Sequence, residues 1–162
     1  MVVEGSSLSP VLAPLQKVLR ERHLTICAAE SCTGGLVCAA LTDLPGSSDY
    51  FLGGIVTYAN EAKMGQLGVD RATLERVGAV SREVAEQMVV GVRELFGADV
   101  ALSVTGIAGP DAEGPKPVGL TYIGAAFEDR VEVREFHWIG GRASNRVASV
   151  EAALQMATEI MS

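Results

Sequence analysis

Short apolar runs along the chain have the length and composition of buried β-strands. Three of them cover residues 23–29, 50–58 and 99–105, and the second is rich in β-branched and aromatic residues. Two more runs, at residues 120–127 and 131–138, are separated by three polar residues and predict a β-hairpin. The pattern therefore predicts five strands, of which the last two are antiparallel neighbours.

Amphipathic stretches between and beyond these runs predict α-helices. Near the start of the chain, apolar residues recur at helical spacing from Leu12 to Leu19. Ser81 is a favourable N-cap for a long helix whose apolar side includes Met88. Further helices are predicted over residues 35–42, over residues 59–69 and over residues 144–161.

Two positions complicate this pattern. Pro14 falls inside the first amphipathic stretch, so we expect that helix to begin near Ala13 rather than at Pro10. In the second strand of the hairpin, the apolar alternation slips between Val133 and Phe136. The slip predicts a β-bulge or a change of the buried face.

Strands that alternate with helices indicate an α/β protein, because each helix packs back onto the sheet. We expect a three-layer α/β/α sandwich with a mixed, mostly parallel sheet and a C-terminal antiparallel hairpin. With 162 residues and 48% apolar content, the chain is long enough to bury one sizeable core. The sequence thus predicts a single domain over residues 1–162.

Charge and hydropathy exclude two classes of partner. The formal net charge of −7, with no dense run of Lys and Arg, argues against a protein that binds nucleic acid. No apolar stretch approaches the roughly 20 residues of a membrane span, and the first nine residues lack the features of a secretory signal. We therefore expect a cytoplasmic protein without a membrane partner.

The three cysteines, Cys27, Cys32 and Cys38, do not form a C-x-x-C pair and leave an odd thiol. A disulfide framework or a zinc site is not expected from this spacing. The favoured interpretation is that all three are buried thiols.

A strand-like run meets a helix-like one at the segment ESCTGG, residues 30–35. Ser31 is either a helix N-cap or a nucleophile. Gly34 and Gly35 either allow close packing of the helix on the strand or expose backbone N–H groups to an oxyanion or phosphate. The GxGxxG and Walker P-loop patterns of nucleotide sites do not occur. From these residues alone, both alternatives stay open.

Two further loops follow the second and third predicted strands. In open α/β sheets, loops at the carboxyl ends of the strands converge, because helix N-termini and free backbone donors meet there. We therefore place the three loops in one candidate site. Its residues outside the first loop are Tyr58, Asn60, Lys63, Thr105, Gly106, Ala108 and Gly109.

A hydroxyl nucleophile needs a base, and neither histidine is well placed to serve. His23 lies at the opposite end of its strand and His137 lies deep in the hairpin, so we expect structural roles for both. A desolvated, neutral lysine is the alternative, as in Ser-Lys variants of the acyl-transfer triad. Taken alone, Lys63 is also consistent with a lysine on the solvated face of a helix. Tyr58 is also consistent with a tyrosine at a strand end with its hydroxyl in water.

Several segments resemble the CinA C-terminal domain family, the nicotinamide mononucleotide deamidases. They are AESCTGG, GGIVTYANEAKMGQLGV, GAVSREVAEQM and SVTGIAGP followed by KPVG, and the resemblance covers about residues 12–154. It implies hydrolysis of nicotinamide mononucleotide to nicotinate mononucleotide and ammonia, without a metal or other cofactor. By motif, it implies that Ser31 is the nucleophile and Lys63 its base. It also implies that Tyr58 is a proton-relay or orienting hydroxyl and that Thr105 lines the pocket.

The chain departs from the family pattern in the loop after GIAGP, which reads DAEGPKPVG and is poorer in glycine and threonine. Phosphate or ribose contacts from this loop are thus left open. Many family members carry a separate amino-terminal domain that this sequence does not contain, so we expect a stand-alone deamidase.

The expected oxyanion donors are backbone N–H groups near Thr33, Gly34 and Gly35. Glu30 either has a functional role, in which it orients the site or favours the pyridinium charge of the substrate, or is a hydrogen-bonded acid at a strand end. Both hypotheses stay open.

Arg142 and Arg146 are four residues apart at the start of the last predicted helix and share one face. We expect them to contact the substrate phosphate, with a neighbouring subunit of a homo-oligomer as a further source of contacts. Alternatives remain: a Ser-Lys amidase for another amide, a non-catalytic nucleotide-binding module, or an interaction protein that releases no ammonia.

Overall fold

The computed structural model describes residues 8–162, which form five strands and six α-helices. The strands are β1 (Ile26–Glu30), β2 (Phe51–Val56), β3 (Val100–Gly106), β4 (Leu120–Phe127) and β5 (Arg130–His137). The helices are α1 (Ser9–Glu21), α2 (Leu36–Leu41), α3 (Asn60–Leu67), α4 (Arg71–Val77), α5 (Arg82–Phe96) and α6 (Arg142–Ile160). Within these residues, none of the helices has both the length and the apolar character needed to cross a membrane.

The five strands form one mixed sheet in the order β2-β1-β3-β4-β5. Strand β1 pairs in parallel with both β2 and β3, and β4 pairs antiparallel with β3 and with β5. Four of the five strands therefore point the same way, although only two of the four pairings are parallel. The carboxyl ends of β1, β2 and β3 meet at one edge of the sheet, as the sequence predicts.

Helices cover both faces of the sheet, and β1 contributes side chains to both cores. Ile26 and Ala28 pack in a cluster with residues of α1, α2 and α6. Cys27 and Ala29 pack on the opposite face with residues of α3, α4 and α5. All five residues of β1 are buried, which explains why its sequence is continuously apolar up to Glu30. The predicted three-layer α/β/α sandwich is confirmed.

Helix α1 begins earlier than expected and continues through Pro14. The prediction of a start near Ala13 is therefore wrong. Leu12, Leu15 and Leu19 are at most 1% exposed. Burial of a leucine side chain contributes about 1.5–3 kcal/mol, whereas a proline inside a helix costs about 3 kcal/mol. The three leucines together offset the break in the hydrogen-bond ladder.

Two other local predictions differ from the structure. The register of β4 and β5 is unbroken from Leu120↔His137 to Phe127↔Arg130, so the predicted bulge is absent from this hairpin. Strand β5 lies at the edge of the sheet and is largely exposed, so burial does not constrain its apolar alternation. Helix α4 was not predicted, because it spans only seven residues and buries two of them.

Candidate active site

Backbone hydrogen bonds join the ends of the three parallel strands and place the first two loops side by side. The N–H of Ser31, directly after β1, donates to Val104 O of β3 at 3.0 Å. The N–H of Thr57, directly after β2, donates to Glu30 O at 2.8 Å. Ser31 is therefore held at the sheet edge by an extension of the ladder rather than by a mobile turn.

Lys63 reaches this edge from the first turn of α3, and its side chain is fully buried. Its Nζ lies 3.1 Å from Ser31 Oγ, 2.5 Å from Thr57 O and 3.3 Å from Tyr58 O. The two carbonyl oxygens can only accept hydrogen bonds, so each takes an N–H of the amine. A neutral amine has two N–H groups and one lone pair. In that state, the lone pair faces the Ser31 hydroxyl.

The surroundings of Lys63 make its charged form less favourable than that of a lysine in water. Burial lowers the pKa of Lys63, and the Cys32 thiol and the Glu113 carboxylate oppose this shift only in part. Among the described residues, no carboxylate forms a salt bridge with Lys63. A lysine ammonium without a counter-ion is costly to bury, so the proton is held weakly. The interpretation of Lys63 as a solvated surface lysine is wrong.

Neither histidine lies with this pair. His23 precedes β1, at the end of the strand opposite to Ser31. His137 ends β5, on the far side of the sheet from β2, and its Nε2 lies 2.6 Å from Glu135 Oε1. Its side chain is 60% exposed, so the expectation that His137 lies deep in the hairpin is wrong. Lys63 is the basic side chain in hydrogen-bond contact with Ser31.

Glu30, rather than Ser31, caps helix α2. The N-cap residue of α2 is Gly35, and the Glu30 carboxylate accepts hydrogen bonds from the N–H groups of Gly35, Val37 and Cys38 at 2.8–3.0 Å. A carboxylate at a helix N-terminus satisfies donors that have no partner within the helix and also offsets the helix dipole. The interpretation of Ser31 as an ordinary N-cap is therefore wrong.

The same bonds remove Glu30 from the set of substrate ligands. Its side chain is fully buried, and both oxygens are occupied by the backbone of α2. The hypothesis that Glu30 meets the pyridinium charge is incorrect, because no oxygen faces the open loop. Of the two hypotheses for this residue, the hydrogen-bonded acid at a strand end agrees with the structure.

The backbone N–H groups available to an oxyanion are not all the ones that the sequence predicts. The N–H of Gly34 donates to Ser31 O at 3.1 Å, and the N–H of Gly35 donates to Glu30. Neither glycine therefore has a free N–H group. Within residues 8–162, the N–H groups of Cys32 and Thr33 donate to no acceptor in another residue. These two donors directly follow Ser31 and are the ones available to an oxyanion.

Cys32 lies next to Ser31 and is 7% exposed, so it is a second group to consider as a nucleophile. Burial raises the pKa of Cys32 to about 11 and that of Cys27 to about 12. Both side chains are thus thiols near neutral pH and are poor nucleophiles in that form. All three cysteines are free, and no group of three metal-ligating side chains is found among the described residues.

Tyr58 is near the pair through its backbone but not through its hydroxyl. Its carbonyl oxygen accepts from Lys63, while its side chain is 61% exposed and its Oη lies 3.4 Å from Arg142 Nη2. The predicted proton relay needs the hydroxyl beside Ser31 or Lys63, and the structure places it at Arg142. Asn60 opens α3 with an exposed side chain.

The third loop forms one wall of a cavity that is also lined by Cys32, the residue after Ser31, although Ser31 and Lys63 themselves are not part of the lining. The cavity has a volume of about 180 Å³. It is lined by Cys32, Tyr58, Gly106, Ile107, Ala108, Gly109, Asp111, Glu113 and Arg142. Thr105 is absent from this lining, because its side chain is 1% exposed and its hydroxyl donates to Ala79 O at 2.9 Å. The expectation that Thr105 lines the pocket is therefore wrong.

The two arginines of α6 both reach the loops, in different ways. Arg142 donates to Gly109 O at 2.7 Å and is a wall of the cavity. Arg146 donates to Cys32 O at 3.1 Å and to Thr33 O at 3.2 Å, so it braces the turn that follows Ser31. Neither guanidinium forms a salt bridge with a carboxylate among the described residues. Both charges are left available for an anion.

The acidic residues Asp111 and Glu113 are part of the cavity wall although the sequence did not identify them as site residues. The segment DAEGPKPVG, which departs from the family pattern, could have drawn attention to them, because it contains both carboxylates. Only the path of the loop between β3 and β4 shows that they face the same cavity as Arg142.

Known proteins share this fold and much of this sequence. A crystal structure of the competence/damage inducible protein CihA from Agrobacterium tumefaciens is 37% identical, covers 100% of both chains and has a TM-score of 0.95. The competence damage-inducible protein A from Klebsiella pneumoniae is 31% identical, covers 95% of this chain and 96% of its own, and has a TM-score of 0.92.

Curated relatives extend the comparison. A putative competence-damage inducible protein from Moorella thermoacetica is 51% identical over 140 residues, which are 86% of this chain and 34% of the relative. A CinA-like protein from Syntrophomonas wolfei is 52% identical over 155 residues, or 95% of this chain and 37% of the relative. The chain thus spans about a third of the length of these relatives. The model of the CinA C-terminal domain matches residues 9–161, and the chain belongs to that family.

Proposed function

We propose that this chain is an amidase that hydrolyses the carboxamide of nicotinamide mononucleotide to nicotinate mononucleotide and ammonia. The observation that carries the proposal is the position of the buried Lys63 amine, 3.1 Å from Ser31 Oγ, with both of its N–H groups directed at carbonyl oxygens in the neutral state. This arrangement supplies a nucleophile and a base. The family resemblance supplies the substrate.

In the first step, the Ser31 hydroxyl gives its proton to Lys63 Nζ as Oγ bonds to the carboxamide carbon. The π electrons of the carbonyl group move to its oxygen, and the N–H groups of Cys32 and Thr33 donate to the oxyanion. The reaction then proceeds without a change in the positions of β1 or α3, because both groups are already in contact.

In the second step, the bond between carbon and nitrogen breaks. The Lys63 ammonium returns its proton to the departing nitrogen, which leaves as ammonia, and Ser31 is left as an acyl ester. Lys63 then takes a proton from water, and the resulting hydroxide attacks the ester. Collapse of the second tetrahedral intermediate releases nicotinate mononucleotide, and Lys63 reprotonates Ser31.

The cavity at Cys32 is suited to part of the substrate, with the carboxamide directed at the neighbouring Ser31. Ligand sites for whole small molecules usually have about 300–1,000 Å³, so a cavity of 180 Å³ holds the ring and carboxamide rather than the complete nucleotide. Arg142 lies at the exposed side of this cavity with an unpaired guanidinium, which suits the phosphate. Arg146 does not line the cavity. Its contribution is indirect, because its guanidinium holds the turn formed by Cys32 and Thr33 in place.

We also propose a homo-oligomer. Strand β2 is an edge strand, and its side chains Leu52 and Val56 are 47% and 44% exposed. The strand carries no charged residue, although charges usually protect an exposed edge from pairing. The mass of the particle in solution tests this proposal: a monomer at micromolar concentration contradicts it.

Release of ammonia from nicotinamide mononucleotide tests the proposed function, with nicotinamide riboside as a second substrate. The parent chain and Ser31→Ala are compared with Ser48→Ala, which changes an exposed serine away from the cavity. We expect release by the parent and by Ser48→Ala, and none by Ser31→Ala. Activity on other amides alone would indicate a different Ser-Lys amidase. Binding without ammonia release would indicate a nucleotide-binding module.

A further inference from the structure

The cavity that Cys32 and Arg142 line also has two carboxylates in its wall, Asp111 and Glu113. Among the described residues, neither Asp111 nor Glu113 forms a side-chain hydrogen bond or a salt bridge. Arg142 lines the same cavity, yet its guanidinium donates to the neutral oxygens of Gly109 and Tyr58 instead. Opposite charges therefore face one small cavity without neutralising each other.

The loop that carries these carboxylates is anchored. The backbone groups of Glu113 and Lys116 exchange hydrogen bonds of 3.1 and 3.0 Å. Lys116 Nζ donates to Val77 O at 2.5 Å and to Val80 O at 2.7 Å. The Lys116 amine thus donates hydrogen bonds to backbone carbonyl oxygens and forms no salt bridge with Glu113. The loop presents its carboxylates from a fixed position.

Glu113 also acts on the catalytic pair. Its charge is one of the two that raise the pKa of Lys63 against the effect of burial. The same carboxylate is thus both part of the cavity wall and close enough to Lys63 to act on its charge.

We propose that Asp111 and Glu113 recognise the positive charge of the pyridinium ring and make the site selective for the oxidised nicotinamide nucleotide over its reduced, uncharged form. The inference rests on the proposed function, and it assigns to the loop the role that Glu30 cannot fill. The substrate has a cationic ring and an anionic phosphate. The cavity matches both, with carboxylates at the ring and Arg142 toward the phosphate.

The test compares specificity constants for nicotinamide mononucleotide and its reduced form. They are measured for the parent, Asp111→Asn, Glu113→Gln and the double variant. The pyridinium charge also makes the carboxamide more reactive by itself. That intrinsic difference is the same for every variant, so it cancels when the ratio of the two constants is compared with the parent ratio. Asp129→Asn is the matched control, because Asp129 lies in the exposed turn between β4 and β5, at the end of the sheet opposite to the carboxyl ends of β1, β2 and β3.

We expect each single variant to lower the ratio about two- to fivefold, the effect typical of an exposed charge pair, and the double variant to lower it further. The control keeps the parent ratio. Binding of the two nucleotides to Ser31→Ala, with and without the loop changes, should show the same loss of preference in Kd.

The outcomes separate the two proposals. If the parent releases no ammonia from either nucleotide, the proposed function fails and the inference fails with it. If the parent is active but the double variant keeps the parent ratio, the proposed function stands and the inference alone is overturned. In that case, the two carboxylates are only solvated groups of the loop.

Discussion

Cys38 N–H donates to Glu30 Oε1 at 2.8 Å, and this bond ties the last residue of β1 to the first turn of helix α2. Together with the bonds from Gly35 and Val37, it closes the segment that contains Ser31 into a fixed loop. The Ser31 hydroxyl therefore caps no helix and contacts the Lys63 amine instead.

Replacing Glu30 with Gln should destabilise the protein by about 1–3 kcal/mol. The amide keeps the shape but has only one acceptor oxygen, so buried N–H groups of α2 lose their partner. Urea unfolding measures the change, with Glu94→Gln at an exposed position of α5 as the control. An unchanged free energy of unfolding would show that the carboxylate is not the cap.

Ser31→Ala should lower the rate of amide hydrolysis by about 10³-fold or more, because it removes the nucleophile. The free energy of unfolding should change little, since Ser31 caps no helix in this fold. Ser48→Ala should retain the parent rate. Activity of Ser31→Ala within tenfold of the parent contradicts the role of Ser31 in catalysis.

The pH profile of kcat/KM should rise along a limb that lies below the ordinary lysine pKa of about 10.4, because burial lowers the pKa of Lys63 and only the neutral amine accepts the Ser31 proton. Lys63→Arg should be as inactive as Lys63→Met, since a guanidinium does not give up its proton. Lys17→Met, at an exposed position of α1, should keep the parent profile. Substantial activity of Lys63→Arg would make the residue an electrostatic group only.

Stability should rise with pH through the titration of Lys63. Its pKa is lower in the folded state than in the unfolded state, so the unfolded chain binds more protons between the two values. The contribution of Lys63 to the free energy of unfolding therefore increases between the folded pKa and about 10.4, by at most about 1.4 kcal/mol per pH unit, while the buried thiols, whose pKa values are raised, contribute with the opposite sign above about pH 8.5. Lys63→Met should lose this increase, while Lys17→Met should retain it. Equal slopes for the parent and Lys63→Met would contradict a depressed pKa.

Arg142→Ala should weaken the reaction of nicotinamide mononucleotide about tenfold and leave that of nicotinamide riboside nearly unchanged. A charge-assisted hydrogen bond contributes about 1.5–3 kcal/mol, and only the nucleotide has a phosphate to accept it. Arg71→Ala, at the exposed start of α4, controls for loss of net charge. An equal decrease for both substrates would show that Arg142 acts by holding the loop at Gly109 rather than by binding the phosphate.

The sequence by itself determined the layers of the fold and the chemistry of the central pair. Apolar runs of strand length and helical periodicity report which side chains are buried, and that was enough to predict five strands and most of the helices. The motifs around Ser31 and Lys63 predicted that these two residues act together, and the structure brings their side chains into contact although 32 residues separate them. Strand order joins them, because the loops after neighbouring parallel strands meet at one edge.

Only the tertiary structure decided which partner each polar group takes. Periodicity does not show that Glu30 turns to the backbone of α2, that Thr105 donates to Ala79 O, or that the Tyr58 hydroxyl lies at Arg142. A polar side chain has several acceptors and donors within reach, and differences of about 1 kcal/mol choose between them. These differences depend on the path of loops distant in sequence. The same reason explains why Asp111 and Glu113 became visible as cavity residues only in the folded chain.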